Sequence, residues 1–121
     1  MSNKIDCVTL WSGTDNGTSS TLNLSETVNN FKYLVIYFHD DQNFKGSLKA
    51  FMNNTGGQGC LFMNKCGANG DILYVTSRRF NVSGQTFTKD KEVVVTLQGT
   101  STSVTASTNY LRVERIIGYR S

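Results

Sequence analysis

Residues 31–38 read FKYLVIYF and form the most apolar run of the chain. In an extended segment, successive side chains point to opposite sides. Leu34, Ile36 and Phe38 then share one face, and Phe31, Tyr33, Val35 and Tyr37 share the other. Both faces are apolar, so both need covering, one by a core and the other by a loop or a further subunit.

Working outward, the same period of two recurs. Upstream, CVTLW (7–11) sets Val8 and Leu10 on one face and Cys7 and Trp11 on the other, and TLNL (21–24) aims Leu22 and Leu24 the same way. SETVNN (25–30) reads as a short turn. Downstream, GSLKAF (46–51) pairs Leu48 with Ala50. Residues 53–71, NNTGGQGCLFMNKCGANGD, are glycine-rich and read as a long loop holding one short strand, CLFM. From Asp71 onward Ile72, Tyr74, Thr76, Arg78, Phe80 and Val82 share a parity, as expected of a long strand with a bend or bulge. EVVVTL (92–97) is expected to turn Val93, Val95 and Leu97 inward.

The segment NYLRVERIIGY (109–119) closes the pattern. A terminus frays unless it is tied into the fold, and Ile116, Ile117 and Tyr119 are too apolar to hang in water. The last strand is therefore expected inside a sheet. No stretch carries apolar residues at helical spacing beyond a turn or two. Seven or eight short strands separated by Gly, Asn and Ser clusters predict an all-β fold, an antiparallel, jelly-roll-like β-sandwich, as one domain over residues 1–121. The two-faced apolar strands 31–38 and 115–119 add the expectation of a homo-oligomer.

Composition narrows the function classes. The 121 residues carry 12 basic and 9 acidic side chains, a net charge of +3, and the basic residues are scattered rather than clustered on one face. That is not a nucleic-acid footprint. No apolar run approaches the ~20 residues of a membrane span, so no membrane insertion is expected. Asp6 interrupts any apolar core of a signal peptide, which points to synthesis in a reducing cytoplasm unless the chain was cut from a larger one. Three cysteines, Cys7, Cys60 and Cys66, are an odd number and argue against a disulfide framework. With His39 they contain the donors of a zinc site, but the spacing between Cys60 and Cys66 is wider than that of structural zinc pairs, so no metal is expected. The sequons at Asn16, Asn23, Asn53 and Asn81 follow from a composition rich in Asn, Ser and Thr.

Catalytic patterns are missing from the sequence. His39 is the single histidine, in YFHDDQNF, and no G-x-S-x-G elbow accompanies it. Asp40 and Asp41 are adjacent, and on an extended chain they face opposite sides rather than each other across a substrate. Oxygen-rich stretches such as TDNG, HDDQN and NGD lack the ligand spacing of a calcium loop, and GGQGC lacks the lysine and helix of a phosphate loop. The expectation is a non-enzymatic binding or structural module with no catalytic residue and no cofactor.

Three segments, TLWSGT (9–14), TLNLSETVNNFKYLVIYF (21–38) and RVERIIGYR (112–120), resemble the C-terminal domain family of bacteriophage tail-fibre, baseplate and receptor-binding proteins. The matching positions are Leu10, Trp11, Ser12 and Gly13, then Leu24, Ser25, Glu26, Phe31 and Lys32, then Ile116, Ile117 and Gly118. The resemblance covers the first third and last tenth of the chain. It implies a virion tail component made in the bacterial cytoplasm, β-rich, often a homotrimer, in contact with other tail proteins and with a host cell-surface glycan or receptor. It transfers no contact residue.

The unmatched segment from Asp40 to Gly70 is where ligand contacts are expected. Phe44 is the candidate for stacking on a sugar face, with Asp41, Asn43, Asn53 and Asn54 as hydrogen-bonding partners. Gln58 and Tyr74 are further loop candidates. The alternatives are a purely structural virion protein, which decorates a capsid or joins tail parts, and a glycan hydrolase using Asp40, Asp41 or His39.

Overall fold

The computed structural model describes residues 6–15, 21–67, 69–107 and 110–120. The sequon at Asn16 lies outside the described residues. Among the described residues there are nine strands: β1 (Cys7–Ser12), β2 (Thr21–Asn23), β3 (Tyr33–His39), β4 (Lys45–Phe51), β5 (Gly57–Cys66), β6 (Ile72–Ser83), β7 (Thr86–Gln98), β8 (Ser101–Ser107) and β9 (Arg112–Tyr119). Among the described residues the helical structure is one 3-10 turn, Val28–Asn30. One sheet runs β1-β9-β3-β4; the other runs β2-β7-β6-β5, with β8 beside β7 as well. Every pairing is antiparallel. β1 lies beside the last strand and β2 beside β7, the nesting that gives a jelly roll its wrap, while β3–β4 and β5–β6 are local hairpins.

Period-two alternation builds the core between the sheets. Leu34, Ile36 and Phe38 of β3 are buried, as are Leu10, Val113 and Ile116 from the neighbouring strands. The opposite sheet contributes Leu22, Leu61, Phe80, Val82 and Phe87, with the Phe80 and Phe87 rings stacked 5.0 Å apart. β9 sits between β1 and β3, so the apolar C-terminal run is a central strand. Phe31 departs from the expected parity. A bend at Lys32, whose N–H donates to the Tyr119 carbonyl at 2.8 Å, breaks the alternation and lets the Phe31 ring turn inward.

Two expectations fail for identifiable reasons. The glycine-rich stretch 53–71 is mostly strand: β5 spans ten residues rather than the four of CLFM. Gly59 leaves room for a neighbour, since a Cβ there would lie 3.0 Å from the Phe80 ring. Val93, Val95 and Leu97, expected inward, face outward. β6 and β7 pair Arg78 with Glu92 but Phe80 with Lys89, so β7 holds one extra residue at Asp90–Lys91. That bulge reverses the parity of everything after it. The ninth strand, β8, lies in the Ser/Thr run STSVTAS.

The bulge gathers buried charge. Lys89 and Glu92 both point inward, beside Arg78 and Asp15, and all four are buried. Asp15 pairs with Lys89 and accepts the Val113 N–H at 2.9 Å. Glu92 accepts the N–H groups of Tyr110 (3.0 Å) and Leu111 (2.7 Å). Arg78 donates from Nε to the bulge carbonyl of Asp90 at 2.9 Å and from Nη1 to the Leu111 carbonyl at 3.3 Å. Burial pushes the Lys89 ammonium below its usual range, against the opposing pull of Asp15. Buried charges persist only when paired and hydrogen-bonded, and this set fastens residues 110–113 to the bulge.

Candidate functional site: a groove under the β5–β8 extension

Beyond the bulge, β6 and β7 run on past the sandwich and carry β5 and β8 with them. The concave side of this extension and the β3–β4 turn enclose a groove of about 1090 Å³. Its roof holds Met63 and Lys65 from β5, Tyr74 and Thr76 from β6, and Val94 and Thr96 from β7. Its floor is the turn itself, with Asp41, Gln42, Phe44 and Lys45; Tyr110 closes one wall.

Asp40 shapes the floor. Its Oδ1 accepts the N–H groups of Gln42 (3.0 Å) and Phe44 (2.9 Å), and its Oδ2 accepts Lys65 Nζ at 2.7 Å. These bonds wrap the turn, in which Asn43 takes φ 67°, a left-handed conformation that asparagine tolerates better than most residues. Burial raises the Asp40 pKa, but the bonds from Lys65, Phe44 and Gln42 outweigh it and hold the carboxyl below its ordinary value. Lys65 also donates to Gln42 Oε1 at 2.8 Å and lies 5.3 Å from the Phe44 ring centroid. One lysine on β5 thereby joins the floor to the roof. Phe44 remains 57% exposed and Tyr110 41% exposed, two rings open to the groove.

Asp41 and Phe44 line this groove, with Asn43 in the same turn. Asn53 and Asn54 are placed elsewhere, in the β4–β5 turn, about 20 Å away along β4. Asn53 Oδ1 is committed there, accepting the Thr55 N–H (2.8 Å), the Thr55 hydroxyl (2.9 Å) and the Gly56 N–H (3.0 Å). With Gln58 it borders a second depression of about 590 Å³. Tyr74 does reach the main groove. The residues that sequence reasoning missed are Lys65, Thr96, Thr105 and Tyr110. The Ser/Thr-rich run before Tyr110 hinted at a polar strand, but which face it shows depends on the β7 bulge.

His39 lies on the outer side of the β3 sheet, where Nδ1 is 2.8 Å from Glu114 Oε1; Lys45 Nζ meets the same oxygen at 2.5 Å. The Lys45 hydrogen bond is the main cause of a lowered Glu114 pKa. Cys60 and Cys66 share a face of β5 but stand about 20 Å apart, too far to share an ion. Among the described residues no group of three or more His, Cys, Asp or Glu is placed to hold a metal. Nor, among them, is any helix long and apolar enough to cross a membrane.

The three sequence segments that carry the family resemblance meet in space. A Cβ on Gly118 would lie 2.8 Å from the Phe31 ring and 3.0 Å from Leu10. Ser25 donates its N–H to the Leu10 carbonyl (2.8 Å) and its hydroxyl to the Thr9 carbonyl (3.2 Å), at the bulge where Trp11 rather than Leu10 pairs with Ile116. Glu26 pairs with Arg120 at 3.1 Å. Their role is architectural. No protein-family model matches the chain, and no match is found among curated proteins.

Proposed function

We propose that this protein is a bacteriophage virion tail component, of a tail fibre, baseplate or receptor-binding protein, that attaches to the host surface by recognising carbohydrate in the groove. The observation that carries the reading is the groove's make-up. Two exposed rings, Phe44 and Tyr110, stand beside Thr, Asn and Gln side chains; of the charged residues that line the groove, Asp40 pairs with Lys65 and Lys45 with Glu114, and Asp41 is the fourth. Aromatic faces with directed, uncharged hydrogen-bonding groups suit a sugar. The bacteriophage assignment rests on the resemblance, whose motif residues here form one contiguous frame. Synthesis in the host cytoplasm and assembly with other tail proteins follow from it.

Binding of the purified protein to host cells and to their isolated surface polysaccharide tests this. Phe44→Ala and Tyr110→Ala are expected to lose binding while remaining folded, and Asn54→Ala to keep it. Full binding by both ring variants refutes the groove. A purely structural virion role is favoured by a different observation, the apolar outer face of the β5–β8 extension; it predicts binding to another virion protein and none to cells. A glycan hydrolase finds less support, because Asp40 is fully engaged and His39 lies outside the groove. Release of reducing ends from the polysaccharide would reinstate it.

A further inference from the structure

Along the chain the basic residues are scattered, but the fold gathers four of them, so the expected lack of a charged footprint fails. On the outer side of the β1-β9-β3-β4 sheet, register sets Arg112 of β9 level with His39 of β3 and Lys45 of β4, Arg115 level with Tyr37 and Ser47, and Lys49 level with Val35. One acidic side chain stands among them, Glu114, which meets His39 and Lys45. The other eight basic residues of the chain are matched in number by the other eight acidic ones, so these strands carry the entire surplus of +3. Lys49 and Arg115 have no carboxylate partner among the described residues. Each is held over a ring instead. Lys49 Nζ lies 4.2 Å from the Tyr33 centroid and 5.0 Å from that of Phe51, and the Arg115 guanidinium lies 4.5 Å from that of Tyr37. Cations propped on rings are already ordered and lose less freedom when an anion arrives.

We propose that this face is a second binding site, for an acidic polysaccharide lying across β9, β3 and β4. Two observations select that ligand. The first is the spacing of charge: the cations occupy three levels, each two residues or about 7 Å from the next. A single small anion meets one level, whereas anions repeated along a chain meet all three, and their contributions compound. The second is the state of the rings. Bases of single-stranded nucleic acid stack on open aromatic faces. Here Tyr119 stacks on Tyr33 from β9, with centroids 4.9 Å apart and planes at 12°, Lys49 covers Tyr33 from β4, and Arg115 covers Tyr37. With those faces occupied, the groups left for a ligand are the cations, the phenolic hydroxyls and the hydroxyls of Thr9 and Ser47, a set that an anionic, hydroxyl-rich polymer matches. The site goes beyond the groove and lies on the other sheet, with Lys45 at the border of both.

Fluorescence anisotropy of end-labelled polygalacturonate, titrated with the protein, reads the binding. The wild type is expected to bind this polymer, to bind it far more weakly once its carboxyls are reduced to alcohols, and to lose affinity as sodium chloride is raised from about 50 to about 300 mM. Lys49→Gln and Arg115→Gln, both at exposed positions, are each expected to weaken binding roughly two- to fivefold, the range of single exposed ion pairs, and together by more than either alone. Lys91→Gln removes the same charge from the exposed β7 bulge and is expected to bind as the wild type does. Circular dichroism checks that each variant keeps its strands, and should one face variant fail to fold, the other decides. A wild type that fails to bind polygalacturonate, or binds the reduced polymer equally well, overturns the proposal. So does undiminished binding in the folded face variants, or an equal loss in Lys91→Gln. Tighter binding of labelled oligothymidylate than of polygalacturonate also overturns it and assigns the face to nucleic acid.

Discussion

Gly118→Ala isolates a single steric contact within the Ile-Ile-Gly segment. The added Cβ would sit 2.8 Å from two carbons of the Phe31 ring and 3.0 Å from a Leu10 methyl, where carbon pairs prefer about 3.5–4.0 Å. Phe31 has little freedom to retreat, being buried beneath the Arg120 guanidinium at 4.9 Å from the ring centroid. Overpacking of this kind costs about 1–3 kcal/mol. Replacing a strand glycine by alanine returns about 0.5–1 kcal/mol of backbone entropy. The clash is expected to win, leaving Gly118→Ala about 1–2 kcal/mol less stable than wild type.

Phe31→Ala alone should cost about 3–5 kcal/mol through its cavity. In that background the Gly118 methyl enters vacated space, so the double variant should be less destabilised than the sum of the singles by about 1–2 kcal/mol. Urea unfolding of all four proteins at one protein concentration measures this cycle. Strict additivity, or a Gly118→Ala variant as stable as wild type, refutes the steric argument.

Removing residues 116–121 strips β1 and β3 of half a central strand and deletes buried Ile116 and Ile117. At about 1.5–3 kcal/mol per side chain, before lost ladder bonds, the deletion should abolish the cooperative thermal transition; melting like the parent contradicts the central placement of β9. Glu92→Ala leaves the Tyr110 and Leu111 amides short of an acceptor and removes a buried carboxylate from the neighbourhood of buried Arg78 and Lys89; it should destabilise by about 3–5 kcal/mol, with residues 110–113 losing amide-exchange protection before the core does. Asp40 and Glu114 both have folded pKa values below their ordinary ones. Their stabilisation is complete above the ordinary carboxylate range and lost as pH falls through the folded values. Denaturant midpoints measured from pH 6 down to about pH 3 should therefore fall less steeply for Asp40→Asn than for wild type, and parallel curves would contradict the Asp40 network.

The frame of the sandwich was legible in the sequence wherever a strand keeps one uninterrupted alternation. Leu34, Ile36 and Phe38 share one face as read, which the structure buries, Leu22 and Leu24 point the same way, and the closing apolar run is paired on both sides. Legibility ended where local composition and tertiary need disagree. Gly57 and Gly59 look like loop residues but stand in a strand, where the Phe80 ring lies against Gly59 in the space a Cβ would take. The β7 bulge is invisible to a period-two reading, since nothing in TKDKEVVV marks the extra residue. With it went the orientation of Val93, Val95 and Leu97 and the polar roof of the groove. Of the candidate site residues, Asp41 and Phe44 line the groove, with Asn43 in the same turn. Asn53 and Asn54 have the same polarity but stand at the far end of β4, where the Asn53 side chain binds its own turn.

The position of β9 also constrains the order of assembly. Among the described residues β1 has β9 as its one sheet partner, so the earliest described strand, carrying Leu10 and Trp11, must wait for the latest one. The hairpins β3–β4 and β5–β6–β7–β8 close over short loops and can form while the chain is still being made. The sheet that buries Leu10 cannot. Such distant pairing slows folding and leaves an apolar strand uncovered meanwhile. While it waits, the nascent chain exposes the side chains of β1 together with the unpaired edge of β3 that β9 will cover. Lowering the temperature of expression, or supplying chaperone, should accordingly raise the soluble yield of this protein more than that of a sandwich whose first strand pairs with its second.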